Sequence, residues 1–284
     1  MVQRVRLSGF WFLYTQMIRQ MGRSSLWAPL FVQAVLAILL AMVHYYIFSP
    51  ITGPLVRTWV QLVNSEFADV FYSYPAHFSL LPYFFGIARM VVNILVEALL
   101  FGVVIDLLIS LYRGEKPILM QSARRATGRY IQLAGTWLVV IVVLYVVNRY
   151  FNSFVEDVLG YSLRGSPRRL LMADLTLRGI TILIYSAWIF MLPSIMAGGV
   201  TFGSALKRGF RLFSRHPFVA IGLVLIPYIL GFLPSWALSN PARIVNNFTP
   251  ELVFYLALIS IVVDVVVNFV LLCTSLKFFM DQSE

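Results

Sequence analysis

Cysteine occurs once, as Cys273, and histidine three times, as His44, His77 and His216, in a chain of 284 residues. One thiol excludes an internal disulfide, and inside a long apolar run it reads as a buried, inert side chain. Three scattered histidines supply no set at metal-ligand spacing; even with His44 and His77 on one side of a membrane, no third ligand accompanies them. No Walker-type glycine loop, HExxH or Gly-x-Ser-x-Gly elbow is present, which argues against nucleotide hydrolysis and the common forms of proteolysis. No catalytic residue, cofactor or metal is implied. Charge is scarce as well: Asp, Glu, Lys and Arg together make 12% of the chain, about half of what a soluble domain carries.

What is there instead is apolar. Hydrophobic residues make up 60% of the chain, with a mean hydropathy of +0.84, more than a soluble fold can bury. A spanning helix needs about 20 mostly apolar residues, and six runs qualify: Leu26 to Phe48, Phe84 to Leu111, Tyr130 to Val147, Ile180 to Val200, Phe218 to Leu238 and Leu252 to Leu276. Lipid offers the backbone no hydrogen-bond partner, so each must be helical or part of a closed barrel. The runs lack the alternation of barrel strands, and the chain therefore reads as all-α: a polytopic membrane protein with six transmembrane helices.

A net charge of +10 could suit a nucleic acid, but fourteen basic residues fall on the side of the N-terminus and seven on the other. That asymmetry is the inside-positive pattern; it predicts both termini in the cytoplasm, a bacterial-type plasma membrane, and no nucleic-acid partner. Residues 1–25 are expected to form an interfacial helix, 26–276 the transmembrane domain and 277–284 a short cytoplasmic tail. In the first segment Arg4 and Arg6 are followed by no cleavage site. As a helix it sets Gln16, Arg19, Gln20 and Arg23 apart from Phe10, Leu13, Tyr14, Met17 and Met21.

Two outer segments, 49–83 and 148–179, are long enough to carry interfacial helices of their own, anchored by Leu55, Trp59, Leu62 and Phe67 in one and by Phe151, Phe154 and Val155 in the other. Ser166-Pro167 in the second reads as a helix start. The inner loops repeat each other. Ser122-Ala123-Arg124-Arg125 follows one span and precedes the next, and Ser204-Ala205-Leu206-Lys207-Arg208 does the same 82 residues later, an arrangement consistent with a parallel internal repeat. Leu206, Phe210 and Phe213 recur at helical spacing opposite Lys207, Arg208, Arg211 and Arg215. With Arg124, Arg125 and Arg129, these basic residues are the candidate contacts for anionic lipid headgroups or for a cytoplasmic partner.

The segment Gly203-Ser204-Ala205-Leu206-Lys207-Arg208-Gly209-Phe210, preceded by Met191-Leu192-Pro193-Ser194, resembles the integral-membrane domain associated with some bacterial glycerophosphodiester phosphodiesterases and related polytopic proteins. The resemblance covers roughly residues 84 to 276 and implies a helical scaffold. The soluble catalytic domain has no counterpart, so the resemblance implies no phosphodiesterase activity.

Chemistry concentrates in two spans. Glu97 and Asp264 stand mid-run, where a carboxylate costs about 2.5 to 3.5 kcal/mol. Arg89, Asn93 and Glu97 step by four along one helix; Ser260, Asp264 and Asn268 do so along another, making two polar stripes that must face protein or water. Neighbouring acids at equal depth would share a proton, with Arg89 free to reach headgroups or Glu97. Asp106 is expected to reach the inner surface, and Pro193, Pro227 and Pro234 to bend their helices. These features support three readings of function. The first is a non-catalytic scaffold or accessory subunit of a larger membrane complex, with lipids and other membrane subunits as partners. The second is a transporter or lipid-handling protein built on the central acids, and the third a lipid-directed enzyme using Asp106.

Overall fold

With no water available to satisfy its polar groups, an apolar backbone must close its hydrogen bonds locally. The computed structural model describes residues 7–159 and 167–283, and among these every regular element is helical. Arg4, Arg6 and Ser166, and the side chain of Phe10, lie outside the described residues.

In chain order the helices are α1 (Leu7–Met21), α2 (Ser24–Tyr45), α3 (Thr52–Val63), α4 (Ala68–Phe71) and α5 (Ala76–Val92), which continues through a wide π-type turn, Asn93–Glu97, into α6 (Ala98–Tyr112). They are followed by α7 (Leu119–Thr127), α8 (Tyr130–Leu159), α9 (Pro167–Trp188), α10 (Met191–Gly198), α11 (Phe202–Arg215), α12 (Pro217–Ala237), α13 (Pro241–Asn247) and α14 (Leu252–Ser283). Six stretches are long and apolar enough to cross a membrane: Ser24–Tyr45, Ala76–Tyr112, Tyr130–Val155, Leu171–Gly198, Pro217–Ala237 and Leu252–Gln282. Each overlaps one of the six runs expected from sequence.

The spans are longer than hydropathy alone suggests. The second begins at Ala76, the third reaches Val155 and the fourth begins at Leu171. The described residues of 148–179 therefore extend α8 and α9 and form no separate surface helices. Polar residues interrupt the hydropathy there without breaking the helix, and Asp174 and Arg178 pair with each other at 2.8 Å one turn apart within α9. In the segment 49–83 α3 does form, burying Val56 and Val60 against Ile47, Phe71 and Phe84, while Leu55 and Leu62 are exposed.

At the centre of the bundle is α6, where every residue from Phe101 to Ser110 is buried. A helix apolar nearly all round, here with only Asp106 and Ser110 as exceptions in that stretch, is enclosed by its neighbours, and it packs against α2, α7, α8, α10 and α14. In α1, Leu13, Tyr14 and Met17 join this core and the helix packs on α14; the face assigned to the membrane surface is thus partly covered by the protein, leaving Trp11, Phe12 and Ile18 exposed. Trp27 stacks on Phe269 at 4.6 Å, tying α2 to α14. Cys273 is buried and unpaired.

The order long helix, short basic helix, long helix occurs twice, through α7 and through α11. Both short helices bury small residues one turn apart, Ser122 and Ala126 in α7 and Ala205 and Gly209 in α11. By burial Ser122 therefore corresponds to Ala205, one position out of register with the Ser122–Ser204 match. Small residues let backbones approach closely: a Cβ on Gly209 would stand 3.3 Å from Met191 Cγ. The packed face of α11 is this small-residue stripe and not Phe210, which is 43% exposed.

Candidate intramembrane site

Two departures from regular helix bound the interior of the bundle. The first is the wide turn Asn93–Glu97. A four-residue step overshoots a regular α-helical turn by about 40°, and the wider turn takes up that overshoot, so Asn93 and Glu97 stay on one face; such turns recur at functional sites. The second is the break between α9 and α10. Pro193 has no N–H for the carbonyl of Ile189 and its ring would collide with it, and the helix is interrupted there, at Ile189 and Phe190. Pro227 and Pro234 lie within α12, which continues through them.

Between these elements lies a cavity of about 400 Å³, within the size range of small-molecule sites. Arg89, Asn93, Glu97, Asp264 and Asn268 all line it, as do Thr136, Trp137, Tyr185, Trp188, Tyr228 and Ser275. Five of the six residues of the two sequence stripes thus meet in one space. Ser260 is half-buried and lies outside the lining.

The pairing differs from the sequence expectation. Arg89 Nη1 donates to Asp264 Oδ2 at 2.7 Å, with side-chain exposures of 18% and 30%. Arg89 and Asp264 each lie about three and a half turns, roughly 20 Å, from the N-terminal end of their helices, and Arg89 makes this ion pair and none with Glu97. Asp264 is satisfied by this guanidinium, and Glu97 stands two turns further along the helix. Gly231 of α12 faces Asp264, where a Cβ would stand 3.9 Å from Oδ1, at ordinary van der Waals distance.

Glu97 is 3% exposed and belongs to no ion pair among the described residues. With its amide nitrogen turned toward the carboxyl, Asn93 donates to both Glu97 oxygens at 2.9 Å and to the Arg89 carbonyl oxygen at 2.9 Å. Gln33, 2% exposed in α2, lies close enough to interact with Glu97 but without the alignment of a proper hydrogen bond. Gln33 escapes a pattern search because it is one amide in an otherwise apolar stretch; its solitude there is the only signal. Tyr185 and Tyr228 escape because their rings read as lipid-compatible surface.

Three donors of the cavity wall, Arg89 Nε, Trp137 Nε1 and Trp188 Nε1, are buried without a partner. Unpaired donors away from water are costly, and all three belong to residues that line this one space.

At the end of the bundle carrying α7 and α11, Asp106 is 4% exposed and pairs with Arg125 at 3.4 Å. It is covered and does not reach the surface, because α7 folds back over α6: a Cβ on Gly102 would stand 3.2 Å from Ala126 Cβ. Lys207, Arg208, Arg211 and Arg215 are exposed along α11. At the opposite end, His44 donates through Nδ1 to the Leu40 carbonyl at 2.8 Å and His77 packs on Phe48 and Phe78. No group of three metal-ligating side chains occurs among the described residues.

Compared with models of known protein families, with curated proteins and with solved structures, the chain matches none.

Proposed function

We infer that the protein holds a small amphiphilic molecule in its central cavity and acts as a transporter or lipid-handling protein. What carries this reading is the cavity itself: five charged or amide side chains and three unpartnered donors converge on about 400 Å³ inside the bundle. Polar groups at that depth are retained at a cost of several kcal/mol, and a mixed wall of Trp, Phe and Leu beside Arg, Glu and Asn suits a ligand with an apolar body and an acceptor-bearing head. The basic residues of α7 and α11 support a cytoplasmic position for that side by the inside-positive rule, in the bacterial plasma membrane we take as its setting.

The scaffold or accessory-subunit reading requires surface and no internal space, so the cavity favours ligand handling over it. An enzyme using Asp106 as an exposed acid is disfavoured by that residue's cover and its arginine partner.

The test is to purify the full chain in mild detergent and identify bound small molecules by native mass spectrometry. Wild type is compared with Glu97→Gln and with Val140→Phe, which narrows the cavity from a lining position. The reading expects a bound species in wild type that is depleted in both variants. Equal occupancy in all three, or a lower thermal midpoint with unchanged transport in vesicles, would instead leave the polar cluster as an interhelical clamp of a scaffold.

A further inference from the structure

A second cavity, about 370 Å³, lies at the basic end of the bundle between α6, α7 and the end of α10, lined by Asp106, Arg113, Arg124, Arg125 and Arg129. Four guanidinium groups and one carboxylate leave a net charge of three positive units around one half-open space. The single acid is only loosely engaged, at 3.4 Å from an Arg125 that is 48% exposed. Arg129 is anchored: its Nη1 donates to the carbonyls of Ile195 and Met196. These belong to the last turn of α10, whose carbonyls have no partner within the helix. Its other Nη sits against Gly199, where a Cβ would be 3.3 Å away, and Gly199 adopts a left-handed φ of 61° that a side chain would strain. Among the described residues the side chains of Arg113 and Arg124 have no hydrogen-bond or ion-pair partner. The fold therefore spends one arginine on positioning and half-neutralises another, while two converge with nothing to hold.

We propose that this pocket binds a phosphate group, with Arg113, Arg124 and Arg125 as its ligands and Arg129 as the residue that fixes their frame. Guanidinium forks match the paired oxygens of a phosphate, and like charges gathered at the edge of a low-dielectric bundle are relieved by an anion. The same chemistry is offered by the headgroup of an anionic lipid, for which basic pockets at helix ends are suited, and by free phosphate. The apolar wall from Ile109, Met196 and Ala197 favours the lipid. The site is distinct from the cations of α11: Lys207, Arg208, Arg211 and Arg215 do not line it.

The full chain in dodecyl maltoside is titrated with dihexanoyl phosphatidic acid, dihexanoyl phosphatidylcholine and inorganic phosphate, reading the dissociation constant and the thermal midpoint. Phosphatidic acid is expected to bind saturably, and Arg113→Gln and Arg124→Gln to weaken it about tenfold each, the scale of one charge-assisted hydrogen bond. Because neither side chain supports the fold, these variants should keep the wild-type midpoint without ligand. Arg211→Gln, outside the pocket, should bind as wild type. Competition by inorganic phosphate at comparable concentration supports the site with free phosphate as its source, and weak competition supports it with a lipid as its source. Equal loss in Arg211→Gln and Arg124→Gln, equal binding of phosphatidylcholine, or no saturable binding overturns the proposal.

Discussion

Replacing Asp264 by asparagine takes away the carboxylate that pairs with Arg89 and leaves a guanidinium inside the bundle. Breaking a fully buried pair costs about 3 to 5 kcal/mol. Here the side chains keep 18% and 30% of their exposure, so water or a ligand in the cavity screens part of the loss, and about 2 kcal/mol is expected for D264N. R89Q should cost less, since an isolated carboxyl can take up a proton while a guanidinium cannot lose one. The double variant removes both charges and should recover part of the sum, giving a coupling energy of about 1 to 2 kcal/mol. That exceeds the roughly 0.6 kcal/mol typical of a neutral interhelical hydrogen bond in a membrane protein. The assay is reversible unfolding of the four proteins in mixed dodecyl maltoside and dodecyl sulfate micelles. Additivity within about 0.5 kcal/mol, or D264N no costlier than R89Q, would refute the ion pair as the link between α5 and α14.

The close approach of α7 to α6 makes Gly102 sensitive: a Cβ there would lie 2.6 Å from Leu133 Cδ1 and 3.2 Å from Ala126 Cβ. Gly102→Ala should destabilise by about 1 to 3 kcal/mol, whereas Gly209→Ala, facing the flexible Met191 at 3.3 Å, should cost under about 1 kcal/mol; thermal midpoints in detergent rank the two. At the other end, burial pushes the Tyr72 phenol above its ordinary value, opposed by the Arg57 guanidinium that lies 5.3 Å over its ring. A raised value in the folded state means a contribution fully present below the unfolded value, about 10, and lost as pH rises through the folded one. Midpoints measured across that alkaline range should therefore fall more steeply for wild type than for Tyr72→Phe; parallel curves would remove Tyr72 from the account.

The six spans are legible because length and continuous apolarity are local properties, and each run carries its own hydrogen bonds wherever its neighbours lie. Their ends are less so. His77, Ser79 and Pro82 lower the hydropathy ahead of Phe84, yet His77, Phe78 and Leu81 are buried and hold α5 together by tertiary packing. The fourth span likewise starts within the sequence Leu171 to Gly179, because Asp174 and Arg178 neutralise each other along the helix, which residue-by-residue hydropathy counts as two separate penalties.

For the polar cluster, the four-residue spacing on each helix was sufficient to place Arg89, Asn93, Glu97, Asp264 and Asn268 on inward faces, since lipid penalises any other orientation. Spacing along one helix says nothing of vertical register between two, and that register gives Asp264 to Arg89 and leaves Glu97 to Asn93 and Gln33. Asp106 shows the same division: five residues from the end of its run it could snorkel to the surface, but α7 folds back over α6 and brings Arg125 to it. Arg125 then serves Asp106 only because Ala126 is small enough to lie against Gly102, so the charge of the inner pocket is set by a packing contact between two residues without polar side chains. Enlarging either one should shift the arginines before it disturbs any span.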